Sequence, residues 1–228
     1  MDIVEAVESR RSVRAFLDRP VDPDVLRRVV ERAARAPSGG NLQPWHVDVV
    51  IGDAMNRLKA VMRERLTQAP DGEEPEYAVY PSGLVSPYRD RRFEVGEAIY
   101  ARLGVPREDK VARRAWFARN FQFFGATAAL FVSVDRRMGL PQWSDLGMYL
   151  QTAMLLLRGE GLHSCAQECW AMYPKTISAF IGLPPERMLF AGLAIGRADP
   201  DHPLDGFRAS RASTECFVRF HGASIGTS

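Results

Sequence analysis

Cysteine is scarce in this 228-residue chain: Cys165, Cys169 and Cys216 are the only three. An odd number without framework spacing argues against a disulfide-stapled scaffold and for a reducing compartment. Lysine is nearly absent too, at Lys59, Lys110 and Lys175, so arginine carries the basic charge. The formal net charge is +2, too small for a strong field towards nucleic acid or an acidic membrane. Long apolar runs are missing. The longest, Met148 to Leu157, is interrupted by Gln151 and Thr152, and falls short of the roughly 20 residues that span a bilayer. Asp2, Glu5 and Glu8 break up the first turns, so no secretory leader is expected. A soluble, cytoplasmic protein with no nucleic-acid and no membrane partner is expected.

Common catalytic signatures are also absent. There is no P-loop and no G-x-G-x-x-G following a strand. The four histidines are scattered. His163, Cys165 and Cys169 lack a fourth ligand at a spacing that suits zinc. Cys165 with His163 two residues away is a weak basis for a nucleophile and its base. Ser38 sits in no nucleophile elbow. There is no internal repeat and no low-complexity segment.

What is present is a chain with 46% hydrophobic residues, enough for a full core. We read it as one domain over 1–228. Helices are expected over Ile3–Ser9, from Pro23 to about Arg35 behind an Asp22 cap, and from an Asp53 cap to about Leu66. Further helices are expected over Phe93–Leu103, Arg107–Phe121, Gln142–Arg158 and Pro174–Ile181. Strands are expected over Val47–Ile51, Ala128–Val134 and Met188–Ile195, with Leu162–Trp170 a loop or short strand and Cys216–Phe220 a last strand. Phe117, Phe121, Phe123 and Phe124 are expected in the core. The helix at 142–158 is apolar nearly all round, which implies deep burial and suggests a core shared with a partner chain. Residues 67–92 form a Pro- and Gly-rich insert with Tyr77, Tyr80 and Tyr88, read as a lid. Its Arg89, Arg91 and Arg92 suit either solvent or a ligand.

Three stretches carry the chemistry. In Arg10-Arg11-Ser12-Val13-Arg14, side chains 10, 12 and 14 share one side if the backbone is extended. Guanidinium, hydroxyl and guanidinium in a row suit a phosphate monoester. Arg208, Ser210 and Arg211 repeat the theme. Between them lies Pro37-Ser38-Gly39-Gly40-Asn41-Leu42-Gln43-Pro44-Trp45, where glycine permits close backbone approach. With no evident acid–base pair, this set suits a phosphorylated cofactor that brings its own chemistry.

The ordered combination RRSVR, PSGGNLQPW and Gly161-Leu-His-Ser-Cys-Ala-Gln-Glu168 resembles the FMN-dependent nitroreductase superfamily over nearly the whole chain. The long Tyr- and Arg-rich insert is similar to that of its nitroaromatic and nitrobenzoate reductases. The resemblance implies an α+β fold around a mostly antiparallel or mixed sheet flanked by helices, and an intertwined homodimer with FMN at the interface. Arg10, Ser12 and Arg14 match contacts to phosphate, ribityl chain and flavin edge, with Arg14 assigned to N1–O2; Arg11 lies inside the motif. Pro37, Ser38, Gly39 and Asn41 match contacts from the partner subunit. Cys165, Ala166, Gln167 and Glu168 match the segment beside the flavin, where a backbone N–H of Gln167 or Glu168 approaches N5. Arg211, and secondarily Arg208, match a phosphate ligand. Ala166 replaces the proline common in the family, which puts loop geometry there in question. The implied activity is ping-pong hydride transfer from NADPH or NADH to nitroaromatic, quinone-like or related acceptors. Reductive dehalogenation and flavin fragmentation occur on the same scaffold, and a flavin-binding sensor is the non-catalytic alternative.

Overall fold

The computed structural model of the protein describes residues 1–222. In chain order its elements are α1 (Ile3–Ser9), α2 (Pro23–Ala33), β1 (His46–Ile51), α3 (Gly52–Gln68), α4 (Tyr88–Arg102), α5 (Lys110–Ala118), β2 (Ala128–Asp135), α6 (Leu140–Gly159), β3 (His163–Gln167), α7 (Pro174–Ile181) and β4 (Arg187–Gly196). The four strands form one sheet in the order β1-β2-β4-β3, with every neighbouring pair antiparallel. The expected α+β class with an antiparallel sheet is observed.

The sheet is covered on both faces, which explains why β2 is apolar from Ala128 to Val134 apart from the buried Ser133. Leu130, Val132 and Val134 meet α2 and α6 on one face, while Ala129 and Phe131 meet α3 and α7 on the other. A register shift between Val132 and Ser133 breaks the alternation opposite β4, so the successive residues Phe190 and Ala191 both pack towards the α2–α6 layer.

Local chemistry sets the helix ends. The Asp22 carboxylate accepts from the Asp24 N–H, and Pro23 opens α2. Asp53 is not a cap: Ile51 holds that position without a side-chain bond, and Asp53 lies in the first turn of α3. Helix α4 starts at Tyr88 rather than Phe93, so the irregular part of the insert is confined to 69–87. The helix expected over 107–121 covers only 110–118 and gives way to 3-10 turns over 119–125. Phe123 and Phe124 there adopt φ of 51° and 54°, a strained state for bulky residues, held by complete burial of both rings.

One further expectation fails. Residues 216–220 form no strand; a short turn spans Thr214–Cys216, and the Thr214 carbonyl accepts from the Phe217 and Val218 N–H groups. The backbone there closes on itself instead of pairing with the sheet. Within the single chain, helix α6 is buried along one face. Leu146, Leu150, Ala153 and Leu157 are buried, whereas Leu140 and Met148 are exposed.

Candidate active site

The N-terminal segment after α1 runs extended beside β3. Ser12 makes a parallel bridge with Ser164, and the Val13 N–H donates to the Ser164 carbonyl at 3.0 Å. Phe16 then pairs with Ala198, and its ring lies against Gly196, where an added Cβ would come within 3.0 Å. Val13 and Ala15 are buried. The intervening side chains of Ser12 and Arg14 therefore face away from the core, as period-two geometry requires.

Arg10, Ser12 and Arg14 line one cavity of about 380 Å³ together with Arg208 and Arg211. Sequence positions almost 200 residues apart thus converge as expected. The late cluster is fixed by contacts that sequence reasoning did not anticipate. Arg11 lines the same cavity, but its guanidinium pairs with Asp205. Arg102 of α4 donates to the Asp205 carbonyl at 3.3 Å, and Arg208 donates to the Glu8 carbonyl. Arg11 joins the two ends of the chain.

The electrostatics of this cavity are dominated by positive charge: five arginines line it against the single carboxylate of Glu8. Burial and then repulsion from Arg211 and Arg208 lower the proton affinity of the Arg10 guanidinium. Among the described residues, Arg10, Arg14, Arg208 and Arg211 have no carboxylate within ion-pair distance. Like charges held together in a partly desolvated pocket favour a multiply charged anion. The donor set suits a phosphate.

Arg14 and Val95 also line a second, larger cavity of about 1000 Å³. Its inner wall is the end of β3 and the following turn, with Ala166, Gln167, Glu168 and Cys169. Its outer wall is the insert and α4, and Trp116, Phe117 and Asn120 complete it. Arg14 therefore stands between a cationic compartment and an aromatic one. Phe117, expected in the core, is instead 43% exposed and lines this cavity.

The β3 wall is locked from behind. Cys165 and Gln167 are buried, while Ala166 and Glu168 point outwards. Gln167 Nε2 donates to the Asn120 carbonyl at 2.8 Å, and its Oε1 accepts from Trp170 Nε1 at 3.2 Å. Its amide is thus committed to the interior, leaving its backbone to face the cavity. Trp170 lies flat over Gly192, directly across from Gln167 in the β3–β4 register; a Cβ at Gly192 would meet the indole at 2.4 Å. Burial raises the Cys165 thiol above its usual range. The His163 Nδ1 accepts from the Ala198 N–H at 3.4 Å. These features give no support to a cysteine nucleophile.

Pro37, Ser38, Gly39 and Asn41 line neither cavity within the chain. The Gly39 N–H donates to the buried Asp145 carboxylate of α6 at 3.3 Å. Gly40 and Asn41 have φ of 57° and 58°, a sharp turn in which glycine is at ease and asparagine tolerated. Sequence reasoning also missed Val95, Glu97, Asn120 and Gln151 as cavity residues. Nothing in their local patterns separates them from an ordinary helix surface.

The sheet with its N-terminal strap carries a cationic compartment joined to an aromatic annex. The chain belongs to the nitroreductase family, whose model matches residues 7–197. It is 35% identical over 222 residues to a nitrobenzene nitroreductase of Ectopseudomonas oleovorans, covering 96% of each chain. It is 31% identical to a 4-nitrobenzoate reductase of Pseudomonas putida, covering 97% of this chain and 96% of the other. Among solved structures, the FMN- and NADPH-dependent nitroreductase NfnB of Sphigopyxis sp. strain HMH superposes with a TM-score of 0.94 at 48% identity, covering 98% of this chain and all of that one. The FMN-dependent NfnB of Mycobacterium smegmatis, solved with NADPH, gives 0.89 at 30% identity, with 96% and 100% covered.

Proposed function

We propose that the protein is an FMN-dependent NAD(P)H oxidoreductase that reduces nitroaromatic and related acceptors such as quinones, and that it works as a homodimer. The observation that carries this reading is the convergence of Arg10, Ser12, Arg208 and Arg211 on one cavity, joined through Arg14 to a large aromatic one. The residues fit FMN: a cationic compartment for its phosphate and a flat-walled annex for its ring system. When bound, FMN supplies two-electron chemistry at N5, accepting hydride from NAD(P)H and delivering it to the acceptor in ping-pong order.

The chain's own residues bind, orient and exclude water. Arg10, Arg208 and Arg211 offset the phosphate charge, and Ser12 donates a further hydrogen bond. Arg14 sits where the two compartments meet and would stabilise negative charge on the ring of a bound flavin. The buried amide of Gln167 holds the 166–168 backbone rigid, so that the Gln167 or Glu168 N–H would be positioned to donate to it. Cys165 and Ala166 form the wall beneath. Ala166 lacks the restraint a proline gives, and the Gln167–Trp170–Gly192 packing supplies rigidity from behind. The insert, irregular over 69–87 and continued by the start of α4, acts as a lid over the single domain of the described residues; the last six positions of the expected 1–228 domain lie outside them.

The dimer reading rests on uncovered apolar surface. Ile3, Val4 and Val7 of α1 and Leu140 and Met148 of α6 are exposed, and α1 and α6 pack together. Exposed apolar side chains on two helices that pack together suit burial against a second chain. The turn carrying Pro37, Ser38, Gly39 and Asn41 is tied to that same α6 through Asp145, so a second chain is the natural route by which it reaches FMN. Sedimentation equilibrium is expected to give twice the 25.5 kDa chain mass.

The function is tested by purifying the protein with FMN, recording its visible absorbance, and adding NADPH or NADH without oxygen. Bleaching of the flavin bands and their recovery with nitrobenzene are expected. A protein that takes up no FMN, or whose flavin neither nucleotide bleaches, would falsify it. Among the described residues no helix is long and apolar enough to cross a membrane.

A further inference from the structure

The lid carries a cation that the functions above do not use. Besides Arg14, four charged side chains line the larger cavity: Arg89, Arg92, Glu97 and Glu168. Glu97 is neutralised by a two-bond pair with Arg113, at 2.5 and 3.0 Å. Arg89 donates to Asp90 at 2.9 Å. Among the described residues, Arg92 has no carboxylate within ion-pair distance. It is nevertheless held in place, with its guanidinium carbon 4.1 Å from the centroid of the Tyr80 ring.

That stacking has a chemical consequence. An aromatic ring engages the face of a guanidinium and leaves its in-plane N–H donors free. A planar fork fixed in this way binds a carboxylate or phosphate through two parallel hydrogen bonds. The cavity's other unpaired charge outside the cationic compartment is Glu168, at the β3 end. It disfavours an anion there, so an anionic ligand is oriented with its charge towards the lid. Phe93, Tyr100, Trp116 and Phe117 line the same cavity and suit a flat ring.

We propose that Arg92, stacked on Tyr80, is a specificity-determining anion receptor of the substrate site. It takes the carboxylate of an aromatic acceptor or the 2′-phosphate of the nicotinamide dinucleotide, and it selects charged over neutral substrates of the same shape. The proposal rests on the flavoenzyme reading above.

Equilibrium titrations of the oxidised holoenzyme, followed by perturbation of the flavin absorbance, test it without turnover. Benzoate is compared with benzamide, and NADP⁺ with NAD⁺, in the wild type and in Arg92→Gln. Arg92→Gln is expected to weaken the anionic member of one or both pairs about tenfold or more, the scale of a hydrogen-bonded charge pair. Benzamide and NAD⁺ should stay within about twofold. Loss confined to benzoate assigns the receptor to the acceptor, and loss confined to NADP⁺ assigns it to the 2′-phosphate. Arg92→Lys should restore only part of the preference, and Tyr80→Leu should reduce it in the same direction. If Arg92→Gln binds FMN normally but leaves both ratios unchanged, or weakens charged and neutral ligands alike, the proposal is overturned and the flavoenzyme reading stands. A wild type that takes up no FMN overturns both.

Discussion

On the β3 side of the large cavity, Gln167 and Trp170 are buried, bonded to each other and pressed onto Gly192. On the lid side, Tyr80 and Arg92 are exposed and held by a single stacking contact. The first wall has one arrangement, because its polar atoms are satisfied internally and its ring fills the space a Cβ would need. The second is tied down only at its base. There the Tyr77 hydroxyl donates to the Phe190 carbonyl, and its ring meets Trp143 edge-on at 4.9 Å. Glu73, also at the base, accepts from the Lys175 and Thr176 N–H groups at the start of α7. The contrast teaches a division of labour: a rigid wall fixes what every turnover shares, and an adaptable wall selects among substrates.

The largest effect is expected from damage to the rigid wall. Gly192→Ala would drive a methyl group into the Trp170 indole, costing about 2–3 kcal/mol as overpacking. For a chain of this size that lowers the melting temperature by roughly 5–10 °C. Differential scanning calorimetry measures it, and an unchanged melting point would mean that the wall yields as readily as the lid.

A smaller effect concerns His163 at the start of β3. Burial, and then Arg158 and Arg11, hold its pKa down to about 4, below the ordinary histidine value of about 6.5. The unfolded chain therefore binds the proton more readily than the folded one. Stability is fully present above about pH 6.5 and falls as the pH drops from there towards 4. Because the ring is partly exposed, solvent screening limits the loss to about 1–2 kcal/mol. In His163→Gln the decline between pH 7 and pH 4.5 should be shallower, by denaturant titration at each pH. Equal slopes would remove His163 from the set of groups that stiffen this wall.

The smallest effect belongs to the lid anchor. Tyr77→Phe removes one hydrogen bond, worth about 1 kcal/mol, and should expose 69–87 to faster limited proteolysis with little change in global melting. A large fall in melting temperature would show that the lid base is as integral as the β3 wall.

The sequence made the grip legible and left the walls obscure, for physical reasons. Arg10, Ser12 and Arg14 could be placed on one side because an extended backbone alternates strictly. Gln167 belongs to a segment the sequence singles out, but its inward amide depends on Asn120, which is distant in sequence and has no local signal. Arg11 looks like a third phosphate ligand until Asp205 is brought beside it. The left-handed turn at Phe123 and Phe124 contradicts local preference and exists because two buried rings demand it. Helix α6 reads as apolar nearly all round, and in the single chain one of its faces is left exposed.

The most direct measurement is calorimetric titration of FMN into the flavin-free protein, wild type beside Arg10→Ala. One FMN per chain is expected. Affinity should fall with added salt and should drop about tenfold to a hundredfold in the variant, the scale of a charge-assisted hydrogen bond. Absence of FMN binding, or equal affinity in the two proteins, would contradict the claim that the arginines gathered from both ends of the chain grip a phosphate.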